Sequence, residues 1–178
     1  MTLSGFVAAA GGEADRVLRP MIIHRVAELG LEIWTEKDPE WEARLVTREG
    51  MRPTFVAESP FNSYPPAGMS WACPGIKFTE AEFERSARSA VSQAASNYSL
   101  AADVIERIVM TPATYGELRG FQADFSAFVQ GLPVDVRVFF GHVPGKPAVA
   151  MQVFAQAGKL ASLNEQIRRS WGNVRYLD

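Results

Sequence analysis

Phe121-Gln122-Ala123-Asp124-Phe125-Ser126-Ala127-Phe128-Val129-Gln130-Gly131-Leu132-Pro133-Val134-Asp135-Val136-Arg137-Val138-Phe139-Phe140 alternates apolar and polar residues on both sides of a short turn. Phe121, Ala123, Phe125, Ala127 and Val129 share one face of the first arm, and Val134, Val136, Val138 and Phe140 share one face of the second. That is the period of two of a half-buried strand. A turn at Gln130-Gly131, where glycine tolerates positive φ, predicts Phe125 opposite Val136 and Asp124 opposite Arg137. Apolar side chains then meet each other and charge meets counter-charge, so two independent terms favour one register. Ala148 to Ala155 follows, apolar on both faces except at Gln152, as suits a central strand covered on both sides.

Helical patterns flank this block. Thr79-Glu80-Ala81-Glu82 fits a capping box, and Phe83, Ala87, Ala90, Val91, Ala94 and Ala95 recur at three- and four-residue spacing up to a stop near Asn97. Leu160, Leu163, Ile167 and Trp171 keep the same spacing, Gly172 is placed to end that helix, and Val174 to Leu177 is apolar enough to dock back. A further strand is expected over Val104 to Met110. Upstream, Leu29, Leu31, Ile33 and Thr35 alternate with Gly30, Glu32, Trp34 and Glu36. Lys37-Asp38-Pro39-Glu40 then supplies turn chemistry, Trp41, Ala43 and Leu45 form a returning arm, and Thr54 to Ala57 forms a third, so Ile22 to Ser59 reads as a β-meander. Pro60, Pro65, Pro66 and Pro74 make the segment up to Gly75 a connecting loop. The order predicts an α+β fold: an antiparallel sheet sandwiched with helices, carrying an extra N-terminal β-meander.

The 178 residues, 47% hydrophobic and 21% charged, are enough for one core, and the patterned sequence predicts a single domain over 21–178. Residues 1–20, with the spacer-like Ala8-Ala9-Ala10-Gly11-Gly12, read as a flexible N-terminal extension. Eighteen Lys and Arg against twenty Asp and Glu leave a net charge of −2, which supplies no long-range positive field for nucleic acid or an anionic membrane. No stretch approaches the ~18 apolar residues of a membrane span, so the expected compartment is the cytoplasm, or the periplasm if an export signal has been removed.

Common catalytic constellations do not assemble from the sequence. Cys73, the single cysteine, makes neither an intramolecular disulfide nor a cysteine zinc site, and it reads as a structural thiol. His24 and His142 lack neighbours at metal-ligand spacing. Gly68-Met69-Ser70-Trp71-Ala72 lacks the second glycine of a nucleophile elbow. In Gly141 to Lys146 the glycine spacing is one short of a phosphate loop, and Pro147 stands where Ser or Thr is needed. No catalytic residue, metal or cofactor is therefore expected. Binding candidates are easier to name. Glu28, Glu32, Glu36, Asp38, Glu40 and Glu42 crowd the first predicted hairpin, as a solvated face or as an acidic contact surface. Trp34 leaves the Leu31 and Ile33 face and is either exposed for a partner or covered by a second layer. Gln122, Asp124, Arg137 and Gln152 alternate with core positions on the later strands and are further contact candidates.

The element order and the Phe121–Phe140 hairpin resemble the PsbP-like α/β/α sandwich, including its DcrB-like bacterial members, over Met69 to Leu177. The ending Gln166-Ile167-Arg168-Arg169-Ser170-Trp171-Gly172-Asn173-Val174-Arg175-Tyr176 is similar to that of small proteins encoded beside bacterial secretion effectors. The resemblance implies a non-enzymatic protein-binding module, either an immunity protein or a chaperone for a secreted toxin effector. The longer N-terminal block departs from the simple adaptor pattern. The alternative is a small enzyme, which requires two carboxylates converging in one pocket.

Overall fold

The computed structural model describes residues 20–178; residues 1–19, nearly all of the expected N-terminal extension, lie outside the described residues. The central hairpin pairs β7 (Leu118–Val129) with β8 (Leu132–His142). Its register places Phe125 opposite Val136 and Asp124 opposite Arg137, as the alternation requires. Gln130 and Gly131 both take positive φ, 52° and 78°, the backbone twist that a two-residue hairpin turn demands. β9 (Val149–Gln156) joins the other side of β8 and is itself flanked by β5 (Ala67–Ala72), so it is the central strand its composition predicts. β3 (Glu42–Val46), β4 (Thr54–Glu58) and β6 (Thr111–Tyr115) complete a seven-stranded antiparallel sheet in the order β3-β4-β5-β9-β8-β7-β6.

Two layers cover this sheet. On one face lies α1 (Glu80–Asn97), where the Thr79 amide donates to the Glu82 carboxylate at 3.2 Å and opens the helix as the capping box predicts. Its buried Val91, Ala94 and Ala95 meet Ala123, Val134 and Val136, while Phe83 and Ala87 meet Phe140. Against the opposite face pack a second, three-stranded sheet and the C-terminal helix. The small sheet runs β1-β2-β10, from β1 (Met21–Val26), β2 (Leu31–Glu36) and β10 (Arg175–Tyr176). Leu31 and Ile33 of β2 share one core with Phe55, Trp71, Phe139 and Met151 of the large sheet. A 3-10 turn (Leu160–Leu163) leads into the C-terminal helix (Asn164–Trp171), which contributes Ile167 and Trp171 to that core. The protein is thus an α+β fold built on antiparallel sheets.

Three expectations give way. Residues 37–40 do not join two arms of a hairpin: β2 turns back onto β1, through Gly30 at φ 64°, whereas β3 belongs to the large sheet. Only the Lys37–Glu40 bridge remains of the expected pairing. Alternation reveals a strand but does not name its neighbour. The proline-rich segment contains β5, because Pro65 and Pro66 precede the strand and Pro74 follows it, leaving its ladder amides intact. Finally, the expected strand over Val104 to Met110 is replaced by a short helix, α2 (Ala102–Glu106), followed by β6. The C-terminal helix is accordingly α3.

The β6–β7 turn and the end of α3 meet closely. Gly116 has φ 59°, and a Cβ there would stand 2.2 Å from the carbonyl oxygen of Gly172. Gly116→Ala is expected to lower unfolding stability by about 2 kcal/mol or more, from left-handed backbone strain plus this clash, as read by urea denaturation. A loss below about 0.5 kcal/mol would show that the turn moves away freely.

Candidate functional site

The loop end of the large sheet gathers most of the polar chemistry. The β4–β5 loop, the β7–β8 turn and the exit of β9 all lie at this end, since Ala67 pairs with Ala155, Asp135 with Ala155, and Ser126 with Asp135. Two depressions flank the 3-10 turn there. The first, about 370 Å³ and shallow, is lined by Asp124, Ser126, Asp135, Arg137, Gly158 and Leu160. The second, about 190 Å³, lies between the β2–β3 corner, the β4–β5 loop and α3, and Glu36, Asp38, Trp41, Ser63, Tyr64 and Gln166 line it.

In the first depression the two aspartates are already engaged. Arg137 donates through Nε and Nη2 to the two Asp124 oxygens, each at 2.8 Å, and its Nη1 reaches Asn164 Oδ1 at 3.1 Å. This two-point bond to Asp124 raises the Arg137 pKa, burial opposing it. Asp135 accepts from the Ser126 hydroxyl at 3.1 Å and from the Gly158 amide at 2.7 Å. These bonds tie the hairpin to α3 and to the β9 exit.

At the floor of the second depression lies a buried ion pair. Arg169 Nη1 is 3.0 Å from Glu36 Oε1 and 3.3 Å from Oε2, and both side chains are under 10% exposed. Glu36 thus ends up inside the protein and not on a solvated acidic face. Asp38 and Glu40 are exposed beyond it. His24, on neighbouring β1, has its Nε2 2.8 Å from Thr35 Oγ1. Burial lowers the His24 pKa, and the charge of Glu40 partly counters this.

The remaining sequence candidates lie elsewhere. Glu32 and Trp34 are half-buried on the strand face opposite Leu31 and Ile33, and the indole Nε1 donates to Glu32 at 3.0 Å. Gln122 accepts from the Tyr115 hydroxyl at 2.7 Å on the same sheet face as Asp124. Gln152 pairs with Val138 and Ser70, on the α1 side of the sheet. The nine residues therefore form no single surface. What the sequence missed is Tyr64, which contributes to the second depression from the loop after β4, and Phe61 beside it. Phe61 is fully exposed and Tyr64 is 68% exposed, while Phe128 and Leu132, at the tip of the β7–β8 hairpin, are 69% and 68% exposed. Aromatic residues inside a proline-bracketed run were the available signal.

Among solved structures, one from Bacteroides thetaiotaomicron VPI-5482, determined at 1.50 Å, superposes on 90% of this chain with a TM-score of 0.57 and 10% identity. The fold is shared. The match covers 50% of that protein, so this chain spans about half its length. LpqN, involved in cell envelope biogenesis of Mycobacterium tuberculosis, matches 83% of each chain at a TM-score of 0.48 and 12% identity. No family model and no curated protein matches the sequence. No helix among the described residues is long and apolar enough to cross a membrane, and no cluster of metal-ligating side chains occurs among them.

Two measurements test this site. Glu36→Ala removes one member of a buried charge pair and is expected to cost about 3–5 kcal/mol in chemical denaturation. A cost within about 1 kcal/mol would place the pair effectively in water. Because the folded-state pKa of His24 lies below its ordinary 6.5, the stability it contributes is complete above that value and lost as pH falls through the folded value. The melting temperature should therefore drop between pH 7 and pH 5.5, and His24→Gln should flatten the drop; equal slopes in the two proteins would remove His24 from the account.

Proposed function

We propose that the protein is a non-enzymatic protein-binding module, and that its loop end is the contact surface. The observation that carries this reading is the set of large apolar side chains held in solvent there. Phe61, Tyr64, Phe128 and Leu132 come from two loops on the same edge of one sheet, each about two-thirds exposed or more. An aromatic ring gains substantial burial free energy when a partner covers it, which is why exposed aromatics mark binding hot spots. Asp38 lines the same depression as Tyr64, Asp124 and Asp135 line the neighbouring one, and these carboxylates favour a partner with positive charge on its contact face.

The finer reading is an immunity protein or effector chaperone for a secreted bacterial toxin, as the PsbP-like resemblance implies. An acidic rim around apolar anchors suits a plug against a basic toxin better than a groove for an apolar segment. Against the enzyme alternative stand the bonds of Asp124 and Asp135, which hold both carboxylates to Arg137, Ser126 and Gly158.

Affinity capture from native cell lysate, with mass spectrometry of what is retained, tests the proposal. A stoichiometric protein partner is expected for the natural sequence and is expected to be lost in the Phe61→Ser/Phe128→Ser double variant. Because the rim is charged, the complex should also weaken as salt is raised to 1 M. Failure to retain any protein, or retention unaffected by the double variant, would overturn the placement of the interface at this end.

A further inference from the structure

Resting on the protein-binding reading, we infer that the 190 Å³ cleft between the β2–β3 corner, the β4–β5 loop and α3 receives one arginine or lysine side chain of the partner. Size sets the first limit. The cleft is smaller than the ~300–1,000 Å³ of pockets that enclose whole small molecules, yet it has room for one long side chain. Chemistry sets the second. Among the described residues its lining carries two carboxylates, Glu36 and Asp38, the hydroxyls of Ser59 and Ser63 and the ring of Tyr64, and no lysine or arginine. Oxygen acceptors arranged around an aromatic face form the environment in which a guanidinium or ammonium is stabilised by charge, hydrogen bonds and the ring quadrupole together.

Two of the protein's own cations, outside the lining, show both modes on residues that belong to it. Arg169 engages the two Glu36 oxygens from behind, and the Lys159 ammonium stands 5.4 Å from the centre of the Tyr64 ring. Glu36 is thereby committed to Arg169. The carboxylate offered to an incoming cation is Asp38, which is exposed at the mouth and fixed in position where the chain leaves the small sheet for the large one. The rings of Trp41 and Tyr64, both in the lining, supply apolar surface for the aliphatic stem of an inserted side chain. A neutral side chain of equal length would gain the stem contact and forgo the charge.

The test titrates the full chain, isotope-labelled, with the capped tripeptide acetyl-Gly-Arg-Gly-amide and with its citrulline counterpart, which has nearly the same shape and no charge. Amide resonances of Ser63, Tyr64 and Gln166 are expected to shift saturably with the arginine peptide, at least tenfold more tightly than with the citrulline peptide. Asp38→Asn is expected to weaken the arginine peptide at least fivefold. Glu84→Gln, at an exposed position of α1 on the opposite face of the large sheet, should leave it unchanged. Equal response to the two peptides, or shifts confined to other residues, overturns the inference. Shifts that appear only after Arg16→Ala/Arg19→Ala would make the chain's own N-terminal segment the occupant and equally overturn an external ligand. If partner capture fails in the Phe61→Ser/Phe128→Ser variant but survives Asp38→Asn, and no peptide binds, the cleft inference falls while the protein-binding reading stands.

Discussion

The structure depends on one helix wedged between two sheets. α3 spans only Asn164–Trp171, yet four of its eight residues are buried, and they face two different environments. Trp171, fully buried, packs its ring 5.1 Å from Tyr115 and 6.3 Å from Phe139 of the large sheet. Arg169 and Ser170 turn instead to β2, the arginine to the Glu36 carboxylate and the serine hydroxyl to the Trp34 carbonyl. The apolar contacts carry most of the burial free energy at this junction. The polar ones fix where along β2 the helix sits, because a shifted helix would strand a buried charge. Both depressions at the loop end inherit their shape from that fixed position, as Asn164 reaches Arg137 and Gln166 lines the cleft.

A protein that displays aromatic side chains in water needs a scaffold that tolerates them. Phe61 and Tyr64 stand in a loop whose ends are clamped, the Ser59 amide donating to the Ala67 carbonyl and the Ala67 amide to the Ser59 hydroxyl. Phe128 and Leu132 cap a hairpin whose ladder runs unbroken to its two-residue turn. The exposed rings are thus borne on short, well-anchored supports, which lowers the entropy lost when a partner orders them. Asp124 and Asp135 near them are held by Arg137, Ser126 and the Gly158 amide, so that part of the surface is ordered before any contact is made.

The fold was more legible than the site. The β7–β8 hairpin and the central β9 were readable because each is long, regular and supported by both periodicity and turn chemistry. α1 was readable from its first turn, where Thr79 and Glu82 occupy the two positions that satisfy each other. The β2–β3 corner was misjudged because alternation is local, whereas sheet membership is decided by what α3 and β10 place against β2, residues more than a hundred positions away. Glu36 illustrates the same limit. Among five other acids in its neighbourhood it reads as surface charge, and only the arrival of Arg169 makes it interior. β5 was hidden by the prolines around it, and with it the aromatic loop that borders the cleft. Asp124 and Arg137 were recognised as a pair, but their engagement with Asn164 and Asp135's bond to Gly158 belong to the packed tail of the chain.

The crossing of the chain from one sheet to the other at residues 37–40 bears on when the cleft takes shape. The cleft is walled by residues 36–41, 59–65 and 163–166, so it joins segments widely separated along the chain. Contacts of such sequence separation close late, because each requires a long loop to be restricted before it is rewarded. During synthesis the β4–β5 loop can emerge and even fold while the third wall is still within the ribosome. The shape of this end therefore reports whether α3 has docked: a chain cut before Leu163 keeps the first two walls and lacks the cleft.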